Sequence, residues 1–411
     1  MTHTSLSHRK SFATLRVLHP NGNPAANTRV RVRQTSHEFL FGCGGFEAVE
    51  YAGGNRDGSP LDAARSALLK DRLDKTFALC NYATLPFYLA YFEPEEGNPD
   101  TRRLLAAARW YKERGVLTKG HPLCWHEACA DWLLPCDNAT ILAKQLARIR
   151  REVAGFKGLT DMWDVINETV IMPVFEKCDS GPARVCRELG RVGIVRETFA
   201  AARETHPGAF LLINDYDHSP KYETLVAECL DAGVSIDAIG IQSHQHWHYL
   251  EPEKLDEVLA RFGRFGLPLH FTENTILSGE RMTDGNFHAV RKHWPSTPEY
   301  EEIQAARLTA MYTTLFGHPL VDAVTNWEST DGGWLGAPAG FLRADNSEKP
   351  AYHALMKLIH GEWKTDLALL TDSQGRAEFC GFRGGYEAEA GGAKTPFTLA
   401  KTTPEITVAL P

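Results

Sequence analysis

The chain has 411 residues, of which 43% are hydrophobic and 23% charged, and its formal net charge at pH 7 is −8. This composition is typical of a globular protein, and the negative charge, without any cluster of lysine and arginine, argues against a nucleic-acid partner. No apolar run reaches the length of a membrane-spanning helix, and the first residues lack the apolar segment of a secretory signal.

The two ends of the chain share a pattern of alternating apolar and polar residues. Residues 13–18 and 29–33 flank the turn His19-Pro-Asn-Gly-Asn-Pro24, which predicts two strands joined by a turn. Neither end is long enough to bury a core alone, so residues 1–36 and 364–411 are predicted to assemble one small β-sandwich. The strand-like segments near the second end are 367–370, 377–380, 386–389 and 406–410.

Between these ends, residues 37–363 alternate strand-like and helical segments, such as the amphipathic stretches 140–153, 183–205 and 301–316. Eight strands that are each followed by a helix predict a (β/α)8 barrel, an α/β fold. A doubly wound sheet is the alternative, but it would carry a G-x-G-x-x-G turn where this chain reads Phe41-Gly-Cys-Gly-Gly45. The predicted strands are 37–45, 74–82, 117–125, 160–167, 209–216, 236–243, 268–274 and 322–328.

Nine cysteines are scattered through the chain without any Cys-x-x-Cys spacing. Because they stand mostly in apolar stretches, we expect reduced, buried thiols in a cytoplasmic protein rather than a disulfide framework. We expect no metal to be held by them. They are Cys43, Cys80, Cys124, Cys129, Cys136, Cys178, Cys186, Cys229 and Cys380.

Polar residues follow six of the predicted strands, at the end of a barrel where catalytic residues lie. Glu168 ends one apolar strand and Glu273 ends another. Two strand-end carboxylates are what acid/base-assisted cleavage of a glycosidic bond requires. A carboxylate that caps the following helix is the alternative for Glu168.

The series of strand-end motifs is similar to that of glycoside hydrolase family 10, which contains the retaining endo-β-1,4-xylanases. The resemblance covers about residues 37–360. It implies a (β/α)8 barrel, Glu168 as general acid/base, Glu273 as nucleophile, and no cofactor. The motifs are Gly120-His-Pro-Leu-Cys-Trp-His126, Trp163-Asp-Val-Ile-Asn-Glu168, Ile213-Asn-Asp-Tyr216, Ile239-Gly-Ile-Gln-Ser-His244 and Thr272-Glu273.

The resemblance also implies roles in binding a carbohydrate substrate. Asn167 resembles the residue that bonds the sugar 2-hydroxyl, whereas Gln242 and His244 resemble residues that orient and charge-tune the nucleophile. Trp163 is expected to pack beneath the site. The walls of the sugar site at the cleavage point would be His121, Trp125, Trp327 and Trp334.

The sequence departs from the family's pattern in three places. The family's Glu-Asn…Lys set, which grips a sugar on the glycone side, is replaced by Thr84, Leu85 and Tyr88. Glu127 stands where a neutral residue is usual and adds a third carboxylate. The segment Trp327-Glu-Ser-Thr-Asp-Gly-Gly-Trp334 lacks the usual lysine and is one residue short. Because sites built on hydrogen bonds discriminate strongly, we expect the catalytic machinery to be kept and the recognition, with Tyr88 in the sugar site, to be altered.

Three functions compete on these grounds. The leading hypothesis is retaining hydrolysis of β-1,4-xylosidic bonds in xylan or xylo-oligosaccharides. The second is the same mechanism on another β-glycoside, either a decorated oligosaccharide or one with a bulky apolar aglycone. The third is an inactive barrel that binds carbohydrate. The terminal β-domain carries few aromatic residues, which favours a structural role for it over sugar binding: Phe379, Phe382, Tyr386 and Phe397.

A zinc site is a further alternative. The segment His244-Gln-His246-Trp-His248 places histidines on one face if it is extended, and imidazole binds zinc. Against this stand the role that the resemblance gives to His244 and the lack of a completing ligand in the spacing. We therefore expect no metal.

Overall fold

The computed structural model describes residues 6–175, 179–283, 285–286 and 289–411. Cys178 lies outside these residues. The strands are β1 Lys10–Leu18, β2 Arg29–His37, β3 Leu40–Gly44, β4 Tyr82–Pro86, β5 Leu117–His121, β6 Met162–Asn167, β7 Phe210–Asp215, β8 Ala238–His244, β9 Leu269–Thr275, β10 Val321–Asn326, β11 Asp366–Leu370, β12 Arg376–Phe382, β13 Gly384–Ala390, β14 Ala393–Leu399 and β15 Ile406–Ala409. The helices are α1 Glu47–Gly53, α2 Ala63–Leu79, α3 Leu89–Phe92, α4 Thr101–Glu113, α5 Asn138–Gly155, α6 Gly181–Thr205, α7 Pro220–Asp231, α8 Pro252–Gly263, α9 Pro298–Gly317 and α10 Pro350–Lys357.

Eight strands of the described chain close into a barrel in the order β10-β3-β4-β5-β6-β7-β8-β9. Neighbouring strands run parallel, as β6 and β7 or β8 and β9 do, and a parallel sheet requires a crossover between each pair of strands. The strands β3 and β9 are buried at every position, as expected where one face meets helices and the other fills the barrel. The predicted (β/α)8 barrel is confirmed.

The prediction of the second barrel strand at residues 74–82 is wrong. Residues up to Leu79 belong to α2, whose Leu69, Leu73, Thr76 and Leu79 are buried at the three- and four-residue spacing of a helix face. The apolar run before Cys80 is therefore the last turn of an amphipathic helix. The strand begins three residues after the helix ends, at Tyr82.

The two ends of the chain form a β-sandwich, as predicted. One sheet has the order β12-β1-β15 and the other the order β11-β2-β13-β14. Alternate residues of both sheets meet in one apolar core that includes Leu15, Val32, Phe379 and Tyr386, which is the packing expected of two facing sheets. Strand β14 lies at the edge of its sheet and was not predicted; its Pro396 is the kind of residue that only an edge strand tolerates.

The chain divides into two compact units. The first comprises the described residues up to Leu40 together with Thr309–Pro319 and His353–Pro411, and the second comprises Phe41–Leu308 and Leu320–Tyr352. The domain limits 1–36, 37–363 and 364–411 stay predictions. No helix among the described residues has the length and hydropathy needed to cross a bilayer.

The described cysteines are all free thiols, but not all of them are buried. Cys129 and Cys136 are half-buried, and Cys380 is exposed, so the expectation of buried thiols is wrong for these three. Cys380 pairs in register with Phe12, which is 80% exposed on the outer face of the same sheet. The alternation of a half-buried strand places both side chains outside the core.

Candidate active site

Two buried glutamates lie at the carboxyl ends of barrel strands. Glu168 follows the last residue of β6 and Glu273 belongs to β9; the two residues are 9% and 5% exposed. The backbone of Glu168 is left-handed, with φ of 55°, a conformation that costs a residue other than glycine free energy and is typical of functional sites. Its N–H donates to the carbonyl of Asn214 at 2.8 Å, which holds this conformation in place.

A network of side-chain amides joins the two carboxylates. Asn214 donates from Nδ2 to Glu273 Oε1 and to Asn167 Oδ1, both at 2.8 Å. Gln242 donates from Nε2 to Glu168 Oε1 at 3.0 Å and to Asn167 Oδ1 at 3.2 Å. Each carboxylate therefore has a fixed partner in a buried setting where an unpaired charge would be costly. Asn214 was not predicted as a site residue, although its position at the end of β7 was a signal for it.

The surroundings of Glu168 favour its protonated form. Burial raises the pKa of Glu168 to about 8, and the charges of Asp215 and Glu273 act in the same direction. Hydrogen bonds from Gln242 and from Trp125 Nε1, which lies 3.0 Å from Oε2, oppose this only in part. Glu168 is thus suited to deliver a proton near neutral pH.

The surroundings of Glu273 favour its ionised form. Burial acts to raise the pKa of Glu273, but the net shift is downward because His121, His244 and Lys119 oppose it. His244 Nε2 lies 3.1 Å from Oε2 and donates to it, and His121 Nε2 lies 3.8 Å from Oε1. Two carboxyl groups whose pKa values are pushed apart are the usual sign of one acid and one nucleophile.

A buried ion pair in the barrel interior lies next to Glu273. Lys119 Nζ lies 2.6 Å and His121 Nδ1 2.7 Å from Asp164 Oδ2, and Lys119 and Asp164 are fully buried. Burial acts to raise the pKa of Asp164, but Lys119 and His121 lower it overall. Since Asp164 accepts from Nδ1 of His121, the opposite nitrogen of that ring points to Glu273. Neither Lys119 nor Asp164 was predicted as a site residue, because the pair forms only when two strands meet.

Replacing Lys119 with methionine is expected to lower the free energy of unfolding by about 3 kcal/mol, because it removes one partner of a buried pair and leaves Asp164 with His121 alone. Urea unfolding followed by circular dichroism would measure the change. Lys254→Met, which breaks an exposed pair with Glu257, is the matched control and should have little effect. A Lys119→Met protein as stable as this control would contradict the prediction.

Aromatic rings wall the site on the side of β3, β4 and β5. The ring of Tyr88 lies 5.4 Å from that of His121 and 5.7 Å from that of Trp125. Trp327 meets His121 edge to face at 5.3 Å. Phe46, which was not predicted, lies 5.5 Å from Trp327 and 6.2 Å from Tyr88. No motif marked it, because it stands in the loop after β3 and becomes part of the wall only through the closure of the barrel.

Trp334 closes the wall on the side of β8, with its ring centroid 4.4 Å from that of His244. The structure therefore brings the predicted site residues together around the two carboxylates, while their individual roles stay predictions. They are Tyr88, His121, Trp125, Asn167, Glu168, Gln242, His244, Glu273, Trp327 and Trp334.

The three residues that replace the family's polar clamp occupy different positions in the structure. Thr84 and Leu85 lie within β4 itself and are fully buried. The hydroxyl of Tyr82 reaches Met162 Sδ on β6 at 3.0 Å, so Tyr82 and Thr84 share the inner face of the barrel and Leu85 points to the helices. Leu85 therefore does not face the barrel interior, whereas the ring of Tyr88 lies beside the rings of His121 and Trp125.

Glu127 does add a carboxylate beside Glu168. One possible metal ligand atom from each of His126, Glu127 and Glu168 lies within 4.8 Å of the others. Such a set resembles a cation site in composition, but Glu168 is already held by Gln242 and Trp125. These contacts keep Glu168 in the hydrogen-bond network that includes Asn167 and Gln242.

The histidines considered as a zinc site do not share a strand. Strand β8 ends at His244, so His246 and His248 follow it in a loop. The rings of His244 and His246 are stacked with centroids 6.1 Å apart. Among the described residues, no possible metal cluster includes these three histidines.

Comparison with known proteins identifies relatives of this chain. A family model described as Glycosyl hydrolase family 10 matches residues 88–358. An endo-1,4-beta-xylanase/feruloyl esterase of Xylanibacter ruminicola is 27% identical over 67% of this chain and 40% of its own length. A beta-1,4-xylanase of Dictyoglomus thermophilum is 30% identical over 43% of this chain and 51% of its own length. The chain thus spans about half the length, or less, of these two relatives.

Solved structures share the fold. Xylanase 10B from Thermotoga maritima is 19% identical, with a TM-score of 0.61 over 79% of this chain and 96% of that one. Xylanase B from Clostridium stercorarium F9 is 22% identical, with a TM-score of 0.58 over 77% of this chain and 96% of that one. At these identities the likeness shows a common barrel.

Proposed function

The chain belongs to glycosyl hydrolase family 10, and on this premise we propose that it hydrolyses β-1,4-xylosidic bonds in xylan or xylo-oligosaccharides with retention of configuration. The relatives named above are xylanases, which supports this substrate class. Glu168 is proposed as the general acid/base and Glu273 as the nucleophile. The reaction needs no cofactor, since two carboxyl groups supply all of its proton and bond transfers.

The first step uses the proton of Glu168 and the charge of Glu273. Glu168, with a pKa of about 8, protonates the leaving oxygen while ionised Glu273 attacks the anomeric carbon. The product is a glycosyl ester of Glu273 and a free leaving group. Formation of the ester removes the negative charge that helped to raise the pKa of Glu168, which can then act as a base toward water in the second step.

Neighbouring residues hold this geometry. His244 donates to one oxygen of Glu273 and Asn214 to the other, which fixes the direction of attack. Asn167 donates from Nδ2 to Glu168 Oε1 at 3.1 Å and is the residue proposed to bond the sugar 2-hydroxyl. Positioned groups of this kind act most strongly in a site from which water is excluded.

The observation that carries the proposal is the opposite shift of two buried carboxyl groups joined by one amide network. A barrel that only bound sugar would have no need to keep one carboxyl protonated and the other ionised. The inactive-barrel hypothesis is therefore disfavoured.

A different β-glycoside is the second candidate, and Tyr88 favours it. Where the family has a cation that hydrogen-bonds sugar, this chain has an aromatic ring packed against His121 and Trp125. A sugar hydroxyl would lose a charged partner there, whereas an apolar group would gain a surface. This change bears on substrate choice and leaves the two catalytic carboxylates untouched.

Product release from a panel of substrates would decide between the candidates. The panel contains xylan, xylo-oligosaccharides of defined length, and aryl β-xylosides, β-glucosides and β-galactosides. Xylo-oligosaccharide release that is absent from the Glu273→Ala protein supports the proposal. Turnover of other β-glycosides alone would transfer support to the second candidate, and sugar binding without turnover of any activated glycoside would support the inactive barrel. The cytoplasmic location expected from the cysteine content stays a prediction.

A further inference from the structure

Glu328 lies between the two tryptophans of the site, in the segment that departs from the family's pattern. Its Oε1 accepts a hydrogen bond from the backbone N–H of Trp334 at 2.6 Å. The chain between them folds back around the carboxyl group, so a Cβ added to Gly333 would lie 1.7 Å from Glu328 Oε2. The carboxyl therefore fills the space that a side chain at position 333 would need.

The residue that precedes this segment also holds Glu328. Asn326 donates from Nδ2 to the backbone carbonyl of Glu328 at 2.6 Å. Burial raises the pKa of Glu328 to about 8, the Trp334 N–H lowers it, and the neighbouring carboxylates of Glu47 and Asp331 raise it further. Near neutral pH the group is thus mainly a neutral acid, whose carbonyl oxygen still accepts from Trp334.

The contact continues to the nucleophile. The ring of Trp334 lies against His244, with centroids 4.4 Å apart, and His244 donates to Glu273 Oε2 at 3.1 Å. Trp334 also lies 4.9 Å from the ring of His246. A shift of the Trp334 turn would therefore change both the sugar-facing wall and the packing of the histidine that orients Glu273.

We propose that Glu328 is a positioning residue for the hydrolytic reaction: its carboxyl group fixes the turn at Gly332 and Gly333 so that the Trp334 ring stays in the wall of the sugar site and against His244. The proposal rests on the function proposed above. It explains why a segment one residue shorter than the family's pattern carries an acid next to Trp327 and two glycines before Trp334.

A double-mutant cycle with Trp334 tests the proposal on xylo-oligosaccharides. Glu328→Ala is expected to lower kcat/KM about tenfold, mainly through a higher KM, since one half-buried hydrogen bond and its packing are lost. Glu328→Gln, whose amide oxygen can accept the same N–H, should stay within about threefold of the unaltered protein. The double variant Glu328→Ala/Trp334→Ala should have the same kcat/KM as Trp334→Ala alone, because Glu328 is proposed to act only through the position of the Trp334 ring. The proposal would be overturned if the losses of kcat/KM in the two single variants multiply in the double variant. It would also be overturned if Glu328→Gln has a kcat/KM as low as that of Glu328→Ala.

Acrylamide quenching of Trp334 fluorescence gives a readout that does not depend on turnover. The Trp334 signal is the difference between each protein and its Trp334→Phe counterpart. Glu328→Ala should increase quenching and Glu328→Gln should not. If Glu328→Ala does not fold, Gly333→Ala serves as the test variant. The added Cβ would displace the carboxyl group of Glu328, so this variant should also increase quenching. Unchanged quenching in the folded variant would overturn the positioning role. Failure to cleave any xylo-substrate would overturn only the proposed function, while the quenching result would still decide the role of Glu328.

Discussion

Replacing Glu273 with alanine is expected to lower kcat/KM by about 10⁵-fold, because the reaction then lacks the group proposed to form the covalent intermediate. His244 and His121 favour the ionised state of Glu273. The alanine protein keeps both histidines but lacks the carboxylate that they contact. Initial rates on an aryl β-xyloside with a good leaving group would measure the loss.

Azide provides a chemical control for this prediction. A small anion can enter the space left by the Glu273 side chain and attack from the same face, so Glu273→Ala should form an α-glycosyl azide, whereas Glu168→Ala should form a β-glycosyl azide from its glycosyl-enzyme intermediate. Glu302→Ala, an exposed position in α9, is the matched control and should keep full activity. More than about 1% residual activity in Glu273→Ala without azide would rule out a nucleophilic role.

Replacing Glu168 with glutamine is expected to lower kcat/KM about 10²- to 10⁴-fold on substrates with poor leaving groups, since it removes the proposed proton donor. The loss in the first step should be much smaller for a dinitrophenyl leaving group, which departs without protonation. Pre-steady-state release of dinitrophenol would measure this step. A similar loss for both leaving groups would contradict the assignment of Glu168 as the acid.

The pH dependence of kcat/KM gives a second test of Glu168. The proposed mechanism needs Glu168 protonated and Glu273 ionised, so activity should fall as the pH rises through about 8 and should fall again at acid pH below the usual pKa range of a glutamate. Glu168→Gln should lack the alkaline limb. The pKa of Glu328 is also raised to about 8. If the loss of activity at alkaline pH persists in Glu168→Gln but is absent from Glu328→Gln, that loss is due to Glu328 and not to Glu168.

The sequence by itself was enough to predict the fold class and to predict that Glu168 and Glu273 lie close together. Strand-like and helical segments alternate with a period that only repeated βα units produce, and parallel strands bring their carboxyl ends to one side of the barrel. Asn167-Glu168 and Thr272-Glu273 were therefore expected to meet, although the two glutamates are 105 positions apart in the chain. The second strand was misplaced because a short apolar run such as the one before Cys80 fits a helix face as well as a strand.

The tertiary structure decided how these residues are held and charged. The pair of Lys119 and Asp164, the bridge through Asn214 and the wall formed by Phe46 each join residues from different strands or loops, so no local pattern could predict which contacts these residues make. The pKa shifts of Glu168 and Glu273 likewise depend on burial and on the charges that surround each carboxyl group. Sequence periodicity records which side of a strand or helix is apolar, whereas desolvation and charge depend on distances between atoms that only the closed barrel sets.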